Sequence, residues 1–410
     1  MHDNFTVAVT GQSLIKHDVR QNDRAAFEAM QSLLQRADLA FTNFEGTILG
    51  RHGGWPLKGS FFGSSDPVVL DALKTMGFGA LSLSNNHAFD LGPPGVLSTL
   101  EEVESRGFLH AGLGRNHTEA GRARAAIING RDVAIVAMDG GPGPDFMYAA
   151  NAETARPERP GVNRLLINQL IEVDAVAFDH IRNVGAKVGY SPIDLANDSQ
   201  PDDPRHPDPA CEVVIARAVF KRSDRFGRTV KIDDRDMSRN LSAISAAAET
   251  GCLVIAYLHH HHWAADWYQV PDWVGRVARQ CIDAGAAMFV SHGAPVLQPI
   301  EIYRQRPIFY SLGNFIFHVR SEKSTWTAPE VWESVIGQCS FDPRGNLTGM
   351  ILHPIIIGGE EALNGQLERR IVPHLAKGAS AERILRRLQA QSAEIGTVFD
   401  ITGETARLRI

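Results

Sequence analysis

The sequence predicts an α/β protein in which a parallel or mixed β-sheet is covered by helices. Short β-branched or apolar segments alternate with segments of helical periodicity at the beginning of the chain and again after residue 237. Such alternation is typical of sheets with helices on their faces. The candidate functional residues each follow a predicted strand, and ligands bind at the carboxyl ends of strands in open α/β sheets.

Strands are predicted from alternation and β-branched residues, and helices from apolar spacing and end signals. Asp66 suits an N-cap, with Pro67 in the first turn, and Gly77 and Gly107 each suit a helix end. In chain order, the predicted elements are strand 5–10, helix 24–37, strand 40–44, helix 66–76, strand 79–84, helix 94–106, helix 241–250, strand 253–258, helix 270–284, strand 287–290, strand 308–311 and helix 380–395.

The stretch 140–239 differs from the rest because it is rich in Pro, Asp and Arg. Its polar run at 197–209 offers too little apolar surface to pack. We therefore expect an irregular insertion here, serving either as a lid or as a solvated linker.

Composition excludes several classes of protein. The 410 residues include 41 Lys+Arg and 47 Asp+Glu, a formal net charge of −6, so no basic surface for nucleic acid is expected. The hydrophobic content of 44% is that of a globular protein. We expect no nucleic-acid partner.

The four cysteines are widely spaced and are expected to be free thiols: Cys211, Cys252, Cys281 and Cys339. The first residues show no signal peptide, and no apolar run reaches the ~18 residues that a bilayer requires. The sequence thus predicts a cytoplasmic location and no membrane partner.

Four consecutive histidines, His259 to His262, follow an apolar strand. If the backbone stays extended, His260 and His262 share one face, and His259 and His261 the other. Two imidazoles on one face can bind Zn²⁺, Mn²⁺ or Fe²⁺. The alternative is a surface cluster of histidines.

Other polar residues follow the remaining strands. Asn86 could ligate a metal ion, and His87, trailed by Asp90, is suited to acid–base chemistry. Glu45 and His292 each follow a further strand. Alone, each would be an ordinary loop or surface residue, but one sheet edge could gather them all.

Five segments in this order resemble the CapA family, which is named for poly-γ-glutamate capsule synthesis and is related to calcineurin-like metallophosphatases. They are 37–46, 81–90, 262–267, 296–303 and 310–317. The resemblance implies a layered metallophosphatase-like sandwich of mixed β-sheets flanked by helices. It implies a domain over 1–340, interrupted by the insertion, and a C-terminal extension over 341–410 that packs on the core.

The chain departs from the family at two metal-ligand positions. Gln12 stands where the family has Asp, and the late motif keeps only His292. The resemblance then implies one divalent ion (Zn, Mn or Fe), with a metal-free site as the alternative. The implied ligands are Glu45, Asn86, His260, His262 and His292, with His262 matching the family's His-Trp.

The function implied by this resemblance is metal-assisted hydrolysis of an amide, ester or peptide-like small molecule. The candidate catalytic residues are His87, Asp90 and Gln12. The candidate substrate-binding residues are Lys58, Trp55, Phe62, Trp263 and Trp267, of which the aromatic ones could equally serve packing.

Two alternative functions remain open: epimerase or C–C lyase chemistry on the same scaffold, and a non-enzymatic role in polymer synthesis. The helix at 380–395 is a candidate contact for a homo-oligomer.

Overall fold

A computed structural model describes residues 4–58, 63–189, 208, 210–215, 218–319, 326, 328–359 and 371–409. The chain divides into two compact units. Unit 1 comprises Met1–Leu165 and Arg235–Ile410, and unit 2 comprises Leu166–Asp234. The separate unit therefore begins later than residue 140, because the chain up to Leu165 packs within unit 1.

The first part of unit 1 alternates strands and helices. Its strands are β1 Phe5–Val9, β2 Gln12–Leu14, β3 Leu39–Asn43, β4 Thr47–Ile48, β5 Ser64–Ser65, β6 Phe78–Ser82, β7 Leu109–Ala111, β8 Leu113–Gly114, β9 Arg124–Ile128, β10 Arg131–Asp139 and β11 Gly161–Val162. Its helices are α1 Arg24–Leu34, α2 Val68–Met76, α3 Gly92–Ser105 and α4 His117–Gly121, with a 3₁₀ turn at Asp145–Met147.

A local signal accounts for the C-terminal end of α2 but not for its beginning. Gly77 closes the helix with a φ of 117°, a conformation that costs residues other than glycine free energy. The beginning differs from the expectation, since Pro67 occupies the N-cap and no side chain caps the helix. Asp66 therefore lies one residue outside the cap position.

Unit 2 contains regular structure where an irregular insertion was expected, so that expectation is wrong for its described residues. Its elements are β12 Ile167–Val173, α5 Ala175–Lys187, β13 Glu212–Ile215, β14 Ala218–Arg222 and β15 Gly227–Ile232. The sheet order is β13-β14-β12-β15. Scattered apolar side chains such as Leu170, Phe178 and Val219 are buried despite their charged neighbours in sequence. Of the polar run at 197–209, only residue 208 lies within the described part.

The rest of unit 1 carries the remaining elements. They are α6 Asp234–Glu249, β16 Leu253–His259, α7 Asp272–Asp283, β17 Met288–His292, β18 Ile300–Tyr303, β19 Arg306–Phe309, β20 Asn314–Phe317, a 3₁₀ turn at Pro329–Trp332, β21 Glu333–Phe341, β22 Leu347–Ile357, β23 Pro373–Leu375, α8 Gly378–Ala393, β24 Phe399–Thr402 and β25 Thr405–Leu408. None of the helices within the described ranges has the length and apolar composition that crossing a bilayer requires.

Two mixed sheets form the centre of unit 1. Sheet 1 has the order β24-β25-β22-β21-β1-β3-β6-β7, with β23 beside β22, and sheet 2 has the order β18-β19-β17-β16-β10-β9. Strands β1, β3, β6 and β7 are parallel in sheet 1, as are β10, β16, β17 and β19 in sheet 2.

The sheets share one apolar core. Phe41 of sheet 1 meets Tyr257 of sheet 2 with ring centroids 5.8 Å apart. Helices α1 to α3 bury apolar side chains such as Phe27 and Leu73 in a second core with sheet 1. The predicted layered α/β sandwich of mixed sheets flanked by helices is confirmed. Residues after 341 contribute β22 to β25 to sheet 1, and α8 buries Ile384 in the core between the sheets.

Helix α8 is held to sheet 1 by a buried carboxylate. Glu333 is 1% exposed and accepts hydrogen bonds from Arg383 at 2.7 Å and Arg387 at 2.6 Å. We expect Glu333→Gln to lower the free energy of unfolding by about 1–3 kcal/mol, because the buried negative charge is removed and the amide nitrogen cannot accept a bond from arginine. Urea denaturation would measure this.

The matched control is Glu382→Gln. Glu382 pairs with Arg386 on the same helix, but both side chains are more than half exposed. Its removal is expected to change the free energy by less than about 0.5 kcal/mol. Equal effects of the two substitutions would contradict the anchoring role of Glu333.

Candidate metal and active site

Both sheets contribute polar residues to one edge of the sandwich. Strands β10, β16 and β17 end at Asp139, His259 and His292, which are direct neighbours in the register of sheet 2. In parallel strands such neighbours lie on the same face of the sheet. Strands β3 and β6 of sheet 1 end just before Glu45 and the Asn85–Asp90 segment.

The loops after β3 and β6 are bonded to each other, which positions their functional residues. The amide Nδ2 of Asn85 donates to Phe44 O at 2.8 Å and to Asn43 Oδ1 at 3.2 Å. The Glu45 amide in turn donates to Ser13 O at 3.0 Å. These bonds hold the Glu45 carboxylate beside the segment that carries His87.

Three side chains offer ligand atoms that all lie within 4.8 Å of one another: Glu45, His259 and His261. Glu45 Oε1 is 3.8 Å from His259 Nε2. Three further atoms of this set are buried and have no hydrogen-bond partner among the described residues: Glu45 Oε2, His259 Nδ1 and His261 Nε2. Two neutral imidazoles and one carboxylate form a donor set suited to a single divalent transition metal.

The histidine tract stays extended because its backbone remains bonded on both sides. The amide of His260 donates to His292 O at 3.1 Å, and that of His261 to Gly141 O at 2.7 Å. Alternate residues therefore face opposite ways, as predicted. The faces themselves are reversed, since His259 and His261 lie beside Glu45.

His260 and His262 face away from Glu45, so their assignment as metal ligands was wrong. The His260 ring packs edge-on against Trp273, with centroids 4.8 Å apart, and His262 Nε2 is 3.0 Å from Gly140 O. The backbone of His260 also approaches Gly293 closely. A Cβ at position 293 would lie 1.7 Å from His260 O, so only glycine fits there.

His292 is also not placed as a ligand. Its Nδ1 is 3.2 Å from the Tyr257 hydroxyl, and its Nε2 is 3.1 Å from Thr10 O. Both ring nitrogens thus contact protein groups, contrary to the prediction. Gln12 donates through Nε2 to Asn314 Oδ1 at 3.1 Å, while its Oε1 is buried without a partner.

Asn86 and His87 lie at the site, as the strand-end pattern predicts. Asn86 Oδ1 is 3.0 Å from His259 Nε2, so Asn86 contacts a candidate ligand. His87 Nδ1 is 2.7 Å from Asp90 Oδ2, which also accepts from the Gly63 amide at 2.7 Å. Asp90 is therefore fixed and can orient the His87 ring.

Lys58 reaches the same carboxylate. Its Nζ is 3.2 Å from Asp90 Oδ1 and also contacts Asn86 O. This cation was predicted to bind substrate. The structure places it against the partner of His87, where it neutralises the buried charge of Asp90.

Burial sets the charges of the candidate ligands. It lowers the pKa of His261 to about 3 and that of His259 well below its usual value, so both rings are neutral at pH 7, as metal ligands must be. Burial raises the pKa of Glu45, an effect that the charges of His87 and Lys58 oppose. A bound cation would stabilise this carboxylate further.

Asp139 is a buried site residue that the sequence reading missed. Its Oδ2 accepts from the Tyr148 hydroxyl at 3.0 Å, while its Oδ1 is buried with no hydrogen-bond partner in the ranges that the structure describes. Burial raises the pKa of Asp139 to about 7. The apolar run before it could have revealed it, but the stretch from residue 140, rich in Pro, Asp and Arg, was interpreted as an insertion.

A row of half-buried aromatic rings adjoins the ligands. Ring centroids lie 5.0 Å apart for His261 and Trp263, 5.8 Å for Trp263 and Trp267, and 5.8 Å for Trp267 and Trp326. Trp55 is 73% exposed, and no ring contact joins it to another aromatic residue of the described ranges. Phe62 lies outside the described residues.

Comparisons with known proteins identify the family of the chain. A family model for the bacterial capsule synthesis protein PGA_cap matches residues 6–319. That family lies in the metallophosphatase-like superfamily. The matched range includes the strand-end residues of the site from Gln12 to His292.

Individual relatives are distant. The uncharacterized protein y4sH of Sinorhizobium fredii is 27% identical over 100% of this chain and 94% of its own length. The PGA biosynthesis protein CapA of Bacillus subtilis is 23% identical over 71% of this chain, which spans 56% of that protein. A solved structure of a putative 5'-nucleotidase from Staphylococcus aureus has 11% identity and a TM-score of 0.40, covering 94% of this chain and 58% of that one.

The opposite faces of the histidine tract lead to a test by alanine scanning. We expect His259→Ala and His261→Ala to weaken Zn²⁺ binding by at least about tenfold, since each removes a donor. His260→Ala and His262→Ala should leave affinity close to that of the unchanged protein and lower the thermal unfolding midpoint instead. Zn²⁺ titration calorimetry and thermal denaturation measure the two effects. Equal losses of affinity at all four positions would contradict the two-face arrangement.

Proposed function

The chain belongs to the bacterial capsule synthesis protein family PGA_cap, and on that premise we propose that it is a metal-assisted hydrolase of an amide or ester bond in a peptide-like organic molecule. One observation carries the proposal. Glu45, His259 and His261 place their ligand atoms within 4.8 Å of one another at the edge where His87 lies.

The donor set supports one metal ion. Glu45 Oε2 and His261 Nε2 are buried and find no hydrogen-bond partner in the described part of the chain, an arrangement that costs free energy unless another group binds them. An ion held by Glu45, His259 and His261 would satisfy these atoms, and when bound it would polarise a substrate carbonyl.

His87 is the proposed general acid and base. Its Nδ1 faces Asp90 Oδ2 at 2.7 Å, which favours the tautomer with the proton on Nδ1 and the lone pair on Nε2. Nε2 can then accept a proton from attacking water and return it to the leaving group. Asp90 keeps its orientation because the Gly63 amide donates to its Oδ2 and the Lys58 ammonium lies beside its Oδ1.

Phosphoester hydrolysis on two-metal sites needs ligands for a second ion. Gln12 is uncharged and already donates to Asn314, and both nitrogens of His292 contact protein groups. A neutral carbonyl substrate requires less positive charge than a phosphoryl group. These contacts therefore support one ion and a carbonyl substrate.

Proton transfer without hydrolysis is a second candidate function. Asp139 favours it, because its buried Oδ1 has no partner among the residues described and because Asp139 neighbours His259 in the register of sheet 2. Together with His87 it would provide two proton-carrying groups, as epimerisation requires. Product mass separates the two functions, since hydrolysis adds water and epimerisation does not change the mass.

The first test is metal stoichiometry. After loading with Zn²⁺ or Mn²⁺ and dialysis, elemental analysis is expected to find no more than one equivalent per chain. Glu45→Gln should lose most of this metal, because it removes the anionic ligand. Glu382→Gln, a surface change of the same kind, should retain it. Two equivalents that survive dialysis would contradict the single-ion site.

The second test separates chemistry from metal binding. We expect His87→Gln to lower kcat by about 10²–10⁴-fold while the metal content stays unchanged, because His87 moves protons without ligating the ion. Steady-state kinetics and elemental analysis on the same preparation measure both. His17→Gln, at an exposed histidine, is the control. Loss of metal from His87→Gln would make His87 a ligand.

A further inference from the structure

Half-buried indoles continue outward from a proposed metal ligand. The Trp263 ring lies 5.0 Å from His261, Trp267 follows at 5.8 Å, and Trp326 at a further 5.8 Å. Trp267 and Trp326 pack against a small apolar cluster that contains Phe317. The rings therefore have a packed base and remain partly open to solvent.

Exposed apolar side chains also lie near the segment that carries His87 and Asp90. Leu57 is 50% exposed, and its amide donates to Asp90 O at 2.9 Å. Phe146 is 43% exposed and lies 6.1 Å from Phe89, the residue before Asp90. Apolar surface kept exposed beside a polar site commonly marks a binding surface.

Charge argues against an anionic substrate. Lys58 is engaged by Asp90 and Asn86 O. Among the described contacts, neither Glu45 nor Asp139 has an ion pair with a lysine or arginine. One divalent ion would offset the charge of Glu45, but a substrate with several negative charges would exceed the positive charge that remains and would be repelled by the carboxylates. Neutral substituents avoid this repulsion.

We propose that the substrate is an uncharged amide or ester whose scissile carbonyl is flanked by a bulky apolar group, and that this group binds on Trp263 and Trp267. The inference rests on the proposed function, since it assigns a substrate class to the same site. The carbonyl would lie at the metal donors, and the apolar group would extend along the indoles. Trp267 is then a specificity-determining residue, because it contacts the apolar group and not the reacting atoms.

Binding can be tested apart from turnover with a ketone that cannot be hydrolysed. The probe is 5-phenylpentan-2-one, and its comparison is 5-oxohexanoate, which carries a carboxylate in place of the phenyl group. Isothermal titration calorimetry is done on the full chain twice, once loaded with Zn²⁺ and once after EDTA treatment. We expect it to detect binding of the phenyl ketone and not of the carboxylate-bearing ketone. Trp267→Ala should weaken binding of the phenyl ketone by about tenfold, as expected for loss of an aromatic contact with its buried area. Trp267→Phe, which keeps an apolar ring, should restore most of it.

Ile127→Ala is the matched control for removing an apolar side chain. Ile127 is 75% exposed on β9 and pairs with Asp132, at the end of sheet 2 opposite to the site. It should not change ketone binding. Near-ultraviolet circular dichroism of each variant checks that the fold is kept.

Turnover supplies the second readout. The N-methyl amides of acetic, hexanoic and 4-phenylbutanoic acids are compared with the singly charged N-methyl amide of glutaric acid. We expect kcat/KM to rise by about fourfold for each buried methylene, and Trp267→Ala to flatten that rise. The glutaric derivative should be the poorest substrate relative to its size.

The outcomes separate the two proposals. If the two ketones bind equally, or Trp267→Ala binds the phenyl ketone as tightly as the unchanged protein, the substrate class is overturned even where amides are cleaved. If the phenyl ketone binds through Trp267 but no metal is retained and no amide is cleaved, the apolar surface is supported and the hydrolase proposal fails.

Discussion

The structure of the site depends on two backbone hydrogen bonds that keep the histidine tract extended beyond the end of β16. His260 donates to His292 O on one side, and His261 donates to Gly141 O on the other. A tract held on both sides cannot curl into a turn, so successive imidazoles alternate between two environments. One environment contains Glu45 and the other contains Trp273. A single strand thus supplies both the proposed metal donors and part of their packing support.

Both sheets contribute residues to the site, so the distance between the sheets determines how far apart these residues lie. Glu45 and His87 come from loops of sheet 1, while His259 and Asp139 come from sheet 2. The contact of Phe41 with Tyr257 lies two residues before the end of β16 and separates the sheets directly beneath these groups. Burial at this depth also keeps the imidazoles neutral. Apolar packing and ligand chemistry are therefore coupled.

Periodicity predicted most helices of unit 1 and its central strands β1, β3, β6, β16 and β17 to within a few residues, but not the C-terminal strands β21 to β25. The rule of polar residues at strand ends predicted Glu45, Asn86 and His87 at one edge. It could not predict which histidines face Glu45, because both faces of β16 are buried and apolar. Such a strand has no polar face to fix the phase of alternation. The hydrogen bonds of His292 to Tyr257 and Thr10 join segments that are distant in sequence, so they could not be predicted. Asp139 was not predicted because the stretch that follows it was interpreted as an insertion. Unit 2 was missed because charged residues interrupt its apolar pattern.

The C-terminal strands have a consequence for any shortened form of the protein. The family match ends at residue 319, but β1 lies between β3 and β21 in sheet 1, and β21 belongs to the later part of the chain. A fragment ending at the family boundary would leave the hydrogen-bonding groups of β1 without their antiparallel neighbour in the middle of the sheet. Open edges of this kind recruit strands from other molecules and promote aggregation. The region that the family model matches is thus shorter than the stretch of chain that completes sheet 1.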